Sequence, residues 1–151
     1  MAKRKVTAVI WTHQNKPVIS TKDAPENSIG FIYLIENLDN GKLYIGRKAF
    51  YATRKKRLTI KEKALPGNSR KTFKTEVTEN TWKTYTGSCK PLNEDIKLGA
   101  RYKKKILRYC FTKKQMTFYE LKELFCNGVI ESDNYYNGNI AGKYFNNDLI
   151  N

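Results

Sequence analysis

The chain has 151 residues, which is enough for one domain with a hydrophobic core of its own and too few for two. Its 29 lysines and arginines exceed its 14 aspartates and glutamates, and the resulting formal net charge of +15 favours a polyanionic partner, with nucleic acid first. No apolar stretch approaches the ~20 residues of a membrane span and no signal peptide is recognisable, so we expect a soluble, cytoplasmic protein with no membrane partner.

Residues 1–29 combine a basic start with an alternating segment through Val6, Ala8 and Ile10 and then a polar stretch. The alternation predicts an edge strand, and the polar stretch predicts a loose connection. We therefore divide the chain into an N-terminal basic arm, residues 1–29, and a folded domain, residues 30–151.

The clearest local signal is a hairpin within residues 30–46. Two runs rich in β-branched and aromatic residues, Phe31–Ile35 and Leu43–Ile45, flank the turn sequence Asp39–Gly41. An Asn-Gly pair between two such runs is a strong hairpin signal, so the sequence predicts two antiparallel strands here.

Two tyrosines of this hairpin, Tyr33 and Tyr44, are predicted on the same face of the sheet. A two-residue turn at Asn40-Gly41 offsets them along the strands, whereas a longer loop centred near Leu38 and Asp39 brings them opposite one another. Two phenols on one face, followed at once by dense positive charge, are typical of a phosphate site. The alternative is purely structural, because tyrosine is an ordinary strand residue.

Positive charge is concentrated directly after the hairpin. Residues 47–75 contain eleven Lys or Arg and one acidic residue, Glu62. The composition of residues 48–57 predicts a helix, and a lysine-rich connection broken by Pro66-Gly67 continues to Thr81. The alternative interpretation of this segment is a solvated loop without a binding role.

The remaining elements complete the predicted fold. Residues 104–110 suit a third strand, and an apolar face of helical spacing is expected in the following segment, formed by Phe118, Leu121, Leu124 and Phe125. The predicted class is α/β: a small, three-stranded, mainly antiparallel sheet flanked by helices, with strands near 30–37, 42–46 and 104–110 and helices near 48–57, 90–98 and 117–127.

The hairpin and three later positions resemble the GIY-YIG endonuclease family. Phe31–Tyr33 and, eleven residues on, Tyr44–Gly46 are similar to its paired signature, with Phe31 where the family usually has glycine. Arg54, ten residues after Tyr44, matches the catalytic arginine on the family's next helix. The likeness runs to about Ala141 and is nearest to phage-encoded, homing-type members; it also includes a lone helical glutamate and an Asn-Ile pair, here Glu120 and Asn139-Ile140.

The resemblance implies a metal-dependent endonuclease that hydrolyses phosphodiester bonds in DNA, in the host cytoplasm if the chain is phage-encoded. Tyr33 would be the general base or its relay, Tyr44 would orient the water or the phosphate, and Arg54 would clamp the phosphoryl oxygens. A phenol with a pKa near ~10 needs cationic neighbours to lose its proton, for which the candidates are Arg47, Lys48 and Lys55.

Glu120 would bind one Mg²⁺ or Mn²⁺, because such hard ions accept a single carboxylate together with waters and substrate oxygens. Glu123 is the rival ligand, but at 100° per residue it points away from the predicted apolar face, whereas Glu120 borders that face. The bland alternative for Glu120 is a capping box with Thr117, in which the glutamate only satisfies a helix N-terminus.

Asn139 would position Glu120 or the leaving phosphate by hydrogen bonds, and Asn137 is its competitor. Trp82 is expected to pack in the core rather than stack on bases. The DNA-binding residues are expected to be the cations that follow the hairpin, Arg47, Lys48, Lys55, Lys56 and Arg57.

The alternative function is a non-catalytic basic module that binds DNA or RNA, motivated by the charge alone. A pure binding module has no reason to keep a lone glutamate, Glu120, beside the phosphate path, where it repels the ligand in the absence of a cation. A basic structural protein is a third reading, which predicts no dependence on Tyr33 or Arg54. One site per chain should nick, so double-strand cutting would need a homodimer or two sequential events.

Overall fold

The computed structural model of the protein describes residues 8–149. Its central sheet has five strands, where the sequence predicts three. They are β1 (Trp11–His13), β2 (Lys16–Val18), β3 (Gly30–Asn37), β4 (Leu43–Ala49) and the strand Tyr102–Cys110, in the order β2-β1-(102–110)-β3-β4. The neighbours are antiparallel, except that β1 runs parallel to the strand Tyr102–Cys110.

The two additional strands, β1 and β2, come from the segment that the sequence assigns to the N-terminal arm. Trp11 explains their position, because its side chain is buried and its indole Nε1 donates a hydrogen bond to the Trp82 carbonyl at 2.8 Å. A single tryptophan anchor of this kind has no periodicity that could reveal it in the sequence. Residues 1–7 of the predicted arm lie outside the described residues.

The hairpin β3–β4 confirms that the two tyrosines share a face. Its strand register lies between that of the two-residue turn and that of the longer loop. Tyr33 lies opposite Gly46 and Ile35 lies opposite Tyr44, so the tyrosines are diagonal neighbours. The turn is longer than Asn40-Gly41 alone, since the Asn37 amide donates to the Lys42 carbonyl at 2.9 Å.

The segment after the hairpin is not the predicted helix 48–57. It forms β5 (Tyr51–Arg57), which pairs over its whole length with β6 (Phe73–Glu79) in a separate two-stranded ribbon. A four-residue helix, α1 (Ile60–Lys63), lies in the connection between them. The prediction failed because the partner strand lies about twenty residues away, and pairing with its β-branched residues outweighs the helical preference of lysine and arginine.

The next three elements are α2 (Lys90–Lys97), β7 (Tyr102–Cys110) and α3 (Lys113–Cys126), which confirm the predicted elements at these places. However, α3 begins about a turn earlier than predicted, with Thr112 as its N-cap. Its buried residues are Met116 and Leu124, while Phe118 and Phe125 are more than half exposed. The packed face of the helix is therefore rotated about the helix axis relative to the predicted one. Two short strands, β8 (Asn139–Ile140) and β9 (Tyr144–Phe145), follow, and a short 3-10 helix, Asn146–Leu149, ends the described fold.

Apolar clusters cover both faces of the sheet. One contains Phe31, whose ring meets Trp11 at a centroid distance of 5.0 Å, so the bulky residue in the family's glycine position is a core residue. Trp82 belongs to the same cluster, as expected. The other cluster joins α3 to the sheet through Ile32, Ile45 and neighbouring residues. Among the helices of residues 8–149, none combines the length and the apolar character that crossing a membrane requires.

Candidate active site

A cleft of about 340 Å³ lies at the free edge of β4, where this strand meets α3, the turn at 86–89 and the tail at 136–141. Its walls are mainly polar. They include Tyr44, Ser88, Glu120, Tyr136, Asn137 and Asn139. The cleft therefore brings together three of the predicted catalytic residues, Tyr44, Glu120 and Asn139, and also Asn137, the predicted competitor of Asn139.

Tyr33 and Tyr44 form a pair behind and within this cleft. Tyr33 is fully buried and its ring centroid lies 6.1 Å from that of Tyr44 and 6.0 Å from that of Tyr85. Two glycines leave room for the pair. A Cβ on Gly46 would stand 2.5 Å from the Tyr33 hydroxyl, and one on Gly87, where φ is +87°, would stand 2.9 Å from the Tyr44 ring.

Burial controls the protonation of both phenols. It raises the pKa of Tyr33 far above its ordinary value, and the neighbouring Tyr44, Tyr85 and Glu120 raise it further. Burial also raises the pKa of Tyr44, although a hydrogen bond with Ser88 opposes this change. Both side chains are therefore neutral hydrogen-bonding groups at pH 7 rather than phenolates.

Glu120 lies within α3 and does not cap it. The helix begins at Lys113, and the Thr117 hydroxyl donates to the Lys113 carbonyl in the helix interior, which removes the capping-box interpretation. The Glu120 carboxylate forms an ion pair with Arg47, whose Nε lies 2.9 Å from a carboxylate oxygen. Burial raises the pKa of Glu120 despite this neighbouring positive charge. A half-buried carboxylate that faces a polar cleft is a candidate for binding a cation or a proton.

The two rival residues have other partners. Glu123 accepts a hydrogen bond from the Asn127 side chain at the end of α3. Asn137 is buried and bonds both the amide and the carbonyl of Ile45, so it fixes the tail to β4. Asn139 is exposed in the cleft, but its oxygen accepts from the Gly142 amide instead of contacting Glu120.

Arg54 does not reach this constellation. It is exposed on β5, opposite Glu76 of the ribbon, and is not among the residues that line the cleft. The arginine that contacts a residue of the cleft is Arg47, which pairs with Glu120 and also donates from Nη1 to the Thr117 hydroxyl at 2.6 Å. Strand alternation was the signal for this arrangement, because Arg47 shares a face with Ile45, and that face packs against α3.

The other predicted cations separate into two groups. Lys48 remains at the tyrosine cluster, with its Nζ 4.1 Å from the centroid of the Tyr85 ring, and burial lowers its pKa. Lys55, Lys56 and Arg57 lie on the ribbon, where Lys56 forms an ion pair with Glu76.

The donors in the cleft suit a hard cation held by few protein ligands. Within residues 8–149 no group of three or more His, Cys, Asp or Glu side chains is close enough to form a metal cage. The cleft offers the Glu120 carboxylate together with the hydroxyl groups of Tyr44 and Ser88. One carboxylate in a polar, open cleft fits Mg²⁺, which keeps several waters and binds substrate oxygens.

A turn forms the wall of the cleft opposite α3, and a buried lysine of β7 holds it in place. Lys104, buried on β7, donates from Nζ to the carbonyls of Lys83 and Tyr85, which fixes this turn beside Tyr33. Tyr136 lines the far end of the cleft, and its side chain is held there because its hydroxyl donates a hydrogen bond to Asp95 at 2.5 Å. The buried lysine that holds this turn gives no local signal in the sequence.

A paired-tyrosine hairpin and a helical glutamate at the edge of an α/β sheet define the GIY-YIG class of nuclease domain. The chain belongs to this class: residues 11–140 match the family described as "Putative endonuclease segE, GIY-YIG domain". The match begins at β1, so the first two strands lie within the family region. Neither the curated proteins nor the solved structures contain a match.

Proposed function

We propose that the chain is an endonuclease that hydrolyses phosphodiester bonds in DNA. The observation that carries the proposal is the cleft that Tyr44 and Glu120 both line. Arg47 is paired with Glu120, and Tyr33 packs behind Tyr44. Membership of a GIY-YIG family supports the nuclease class. The net charge of +15 supports a polyanionic substrate.

In the proposed reaction, the oxygen of a water molecule bonds to phosphorus, and the bond from phosphorus to one ester oxygen breaks with its electron pair. The water loses a proton and the leaving oxygen gains one. The site must therefore orient the water, offset the charge on the phosphoryl oxygens and transfer protons.

Arg47, rather than Arg54, is the proposed phosphate clamp. Its guanidinium is held at the cleft by Glu120 and Thr117, and a planar guanidinium can bond two phosphoryl oxygens at once. A DNA phosphate that enters the cleft would bind the N–H groups that these two partners leave available. The ribbon position of Arg54 supports a role in binding instead.

Tyr33 and Tyr44 are proposed to act as neutral phenols. Because the pKa values of both are raised, each can donate a hydrogen bond and relay a proton, whereas a phenolate base would be costly in this environment. Tyr44 lines the cleft and is the group that can touch water or phosphate directly. Tyr33 supports Tyr44 from the buried side.

We further propose one Mg²⁺ or Mn²⁺ per site, with Glu120 as its protein ligand. When bound, such an ion supplies Lewis-acid stabilisation to phosphoryl and leaving oxygens. A raised carboxyl pKa and a single carboxylate give modest affinity without DNA, so substrate oxygens should complete the coordination.

The test is the cleavage of supercoiled plasmid with Mg²⁺, beside EDTA controls. Glu120→Gln and Arg47→Ala are expected to slow nicking by at least ~100-fold, the usual effect of removing a group that stabilises the transition state. Tyr33→Phe should also lose activity, because the hydroxyl that it removes is the group proposed to donate a hydrogen bond and relay a proton. Arg54→Ala is the matched arginine control and should retain nicking within about tenfold.

Three results would count against the proposal. Loss of nicking in Arg54→Ala but not in Arg47→Ala would return the clamp to Arg54. Nicking that survives EDTA would remove the metal. A wild-type protein that binds DNA in a salt-sensitive way but never cuts it would favour the non-catalytic binding module instead.

A further inference from the structure

The ribbon β5–β6 projects from the catalytic edge and has two different faces. Residues that pair directly across an antiparallel ladder point to the same side, so the register assigns every ribbon side chain to a face. We define the open face as Tyr51, Thr53, Lys55, Arg57, Phe73, Thr75, Val77 and Glu79, and the paired face as Ala52, Arg54, Lys56, Lys74, Glu76 and Thr78.

The acidic residues of the ribbon and its connection are used within the protein. Lys74 forms ion pairs with Glu62 of α1 and with Glu76, and Lys56 also pairs with Glu76. These contacts cover part of the paired face, where Lys74 and Glu76 are half-buried. Glu79, at the base of the ribbon, bonds Trp82 and Lys83.

The open face is left to solvent along its whole length. Lys55 and Arg57 form no ion pair with any residue of the described part of the chain. Beside them, Phe73 and Val77 are 55% and 65% exposed, which is unusual for apolar side chains on a strand. Apart from Glu79 at the base, this face combines cations on β5 with apolar side chains on β6 and forms no ion pair within the described residues.

The base of the ribbon is fixed to the fold. Phe50 is buried against Trp82, and its amide donates to the Ile29 carbonyl. Asn80 closes the other end, with its amide bonded to the Phe50 carbonyl and its side chain to the Ala49 carbonyl. The ribbon therefore leaves the sheet directly after β4, the strand that carries Tyr44 and Arg47.

We propose that the open face of this ribbon docks in the major groove of duplex DNA and holds the duplex beside the cleft. The inference rests on the proposed function for its choice of partner. Seven residues at ~3.3 Å each give a ribbon about 23 Å long, and a groove ~12 Å wide admits two strands. Lys55 and Arg57 suit phosphates or guanine edges, and Phe73 and Val77 suit thymine methyl groups.

The test measures binding of a fluorescent 40-base-pair mixed-sequence duplex by the Glu120→Gln protein without added metal, so that cleavage plays no part. Lys55→Ala with Arg57→Ala should weaken binding at least ~10-fold and flatten the salt dependence, with a slope smaller by up to about 2. The matched control is Lys61→Ala with Lys63→Ala, which removes the same charge from α1. It should change the affinity less than about threefold.

Groove-specific competitors then separate duplex docking from other kinds of contact. Methyl green, which occupies the major groove, should displace the protein, and netropsin, which occupies the minor groove, should not. Equal losses in the two double variants would mean that only net charge matters and would overturn the inference. Equal affinity for the single strand, displacement by netropsin, or a changed oligomeric state in place of weaker binding would also overturn it.

The outcome is independent of catalysis. If the duplex binds through the open face but the wild-type protein never nicks plasmid, the proposed function fails and the ribbon inference stands. If plasmid is nicked while the open-face variant binds DNA as tightly as the parent does, the ribbon inference fails and the proposed function stands.

Discussion

Ionised Glu120 lowers the free energy of unfolding of the protein. Its carboxylate is half-buried, and burial holds its pKa above the ordinary value of 4.5 even with Arg47 at 2.9 Å. A group whose pKa is raised by folding stabilises the protein below its unfolded pKa and loses that contribution as the pH rises through the folded pKa. At pH 7 the ionised Glu120 therefore lowers the free energy of unfolding.

Glu120→Gln is accordingly expected to stabilise the protein while it abolishes cleavage. The free energy of unfolding of the variant should exceed that of the wild type at pH 7, and the two should converge as the pH falls below about 4.5. Losing the ion pair costs little because the Arg47 side chain is 45% exposed. Urea unfolding at several pH values measures the difference, with Glu123→Gln as the control. A variant that is less stable at pH 7 would contradict the expectation.

Gly46 should be required for the position of Tyr33. Gly46→Ala brings a methyl group to within about 2.5 Å of the Tyr33 hydroxyl, so either the ring or β4 must move. A displacement near 1 Å at a reacting centre can cost ~100-fold in rate. Plasmid nicking should fall by that order, with a clear loss of stability as well. Full activity in this variant would mean that the Tyr33 position does not matter.

Gly41→Ala separates backbone strain from a blocked site. Gly41 has φ of +74° but open space around its Cβ position, and it lies in the hairpin turn away from the cleft. The substitution should cost about 1 kcal/mol of stability and leave nicking unchanged.

The strands and helices show which parts of the fold local sequence can predict. The hairpin β3–β4 was readable because its apolar runs and Asn-Gly turn are adjacent, and the shared face of Tyr33 and Tyr44 follows from parity alone. The ribbon was not readable, because the lysines and arginines of β5 have their partner about twenty residues later in β6. An edge strand was predicted from Val6, Ala8 and Ile10, but β1 lies at Trp11–His13, because its position is set by pairing with β7, some ninety residues away.

The candidate site was predictable to the same extent. Glu120 lines the cleft, although the argument for it used an apolar face containing Phe118 and Phe125, which are exposed, and its role stays a prediction. Arg54 was expected at the cleft because it matches the catalytic arginine on the family's next helix, but this segment is a strand and Arg54 does not line the cleft. Arg47 required knowledge that α3 packs on the Ile45 face of β4, which is a tertiary fact.

The turn at 83–88 depends on one buried charge from β7. Lys104 donates to the Lys83 and Tyr85 carbonyls and lies 4.3 Å from the centroid of the Trp11 ring. Burial lowers its pKa to about 8, so between pH 8 and 10.5 the unfolded chain binds a proton that the folded chain releases. Over this window the stability contributed by Lys104 rises with pH.

Lys104→Met should remove this pH dependence and loosen the turn. The difference in unfolding free energy, wild type minus variant, should increase by at most about 3 kcal/mol between pH 8 and 10.5, because methionine does not titrate and the buried tyrosines cancel in the comparison. Nicking at pH 7 should fall, since Tyr85 packs against Tyr33. A constant difference across the window would show that folding does not lower the pKa of Lys104.

At the scale of the whole molecule, the proposed active site would face a DNA duplex, whose two strands have opposite polarity. A site that cuts the first strand must be reversed in orientation to cut the second, either by rebinding or through a second copy of the chain. A net charge of +15 keeps the protein near DNA between such events, most strongly at low salt.

We therefore expect nicked circles to accumulate before linear plasmid appears, with the interval growing as salt is raised and rebinding weakens. Gel electrophoresis of timed samples at two salt concentrations measures both species. Linear product without a nicked intermediate, at a rate that rises with the square of the protein concentration, would instead show that two copies act together. In that case each copy would supply its own Glu120 and Arg47, and in a mixture of wild type with Glu120→Gln the mixed pairs would yield nicked circles.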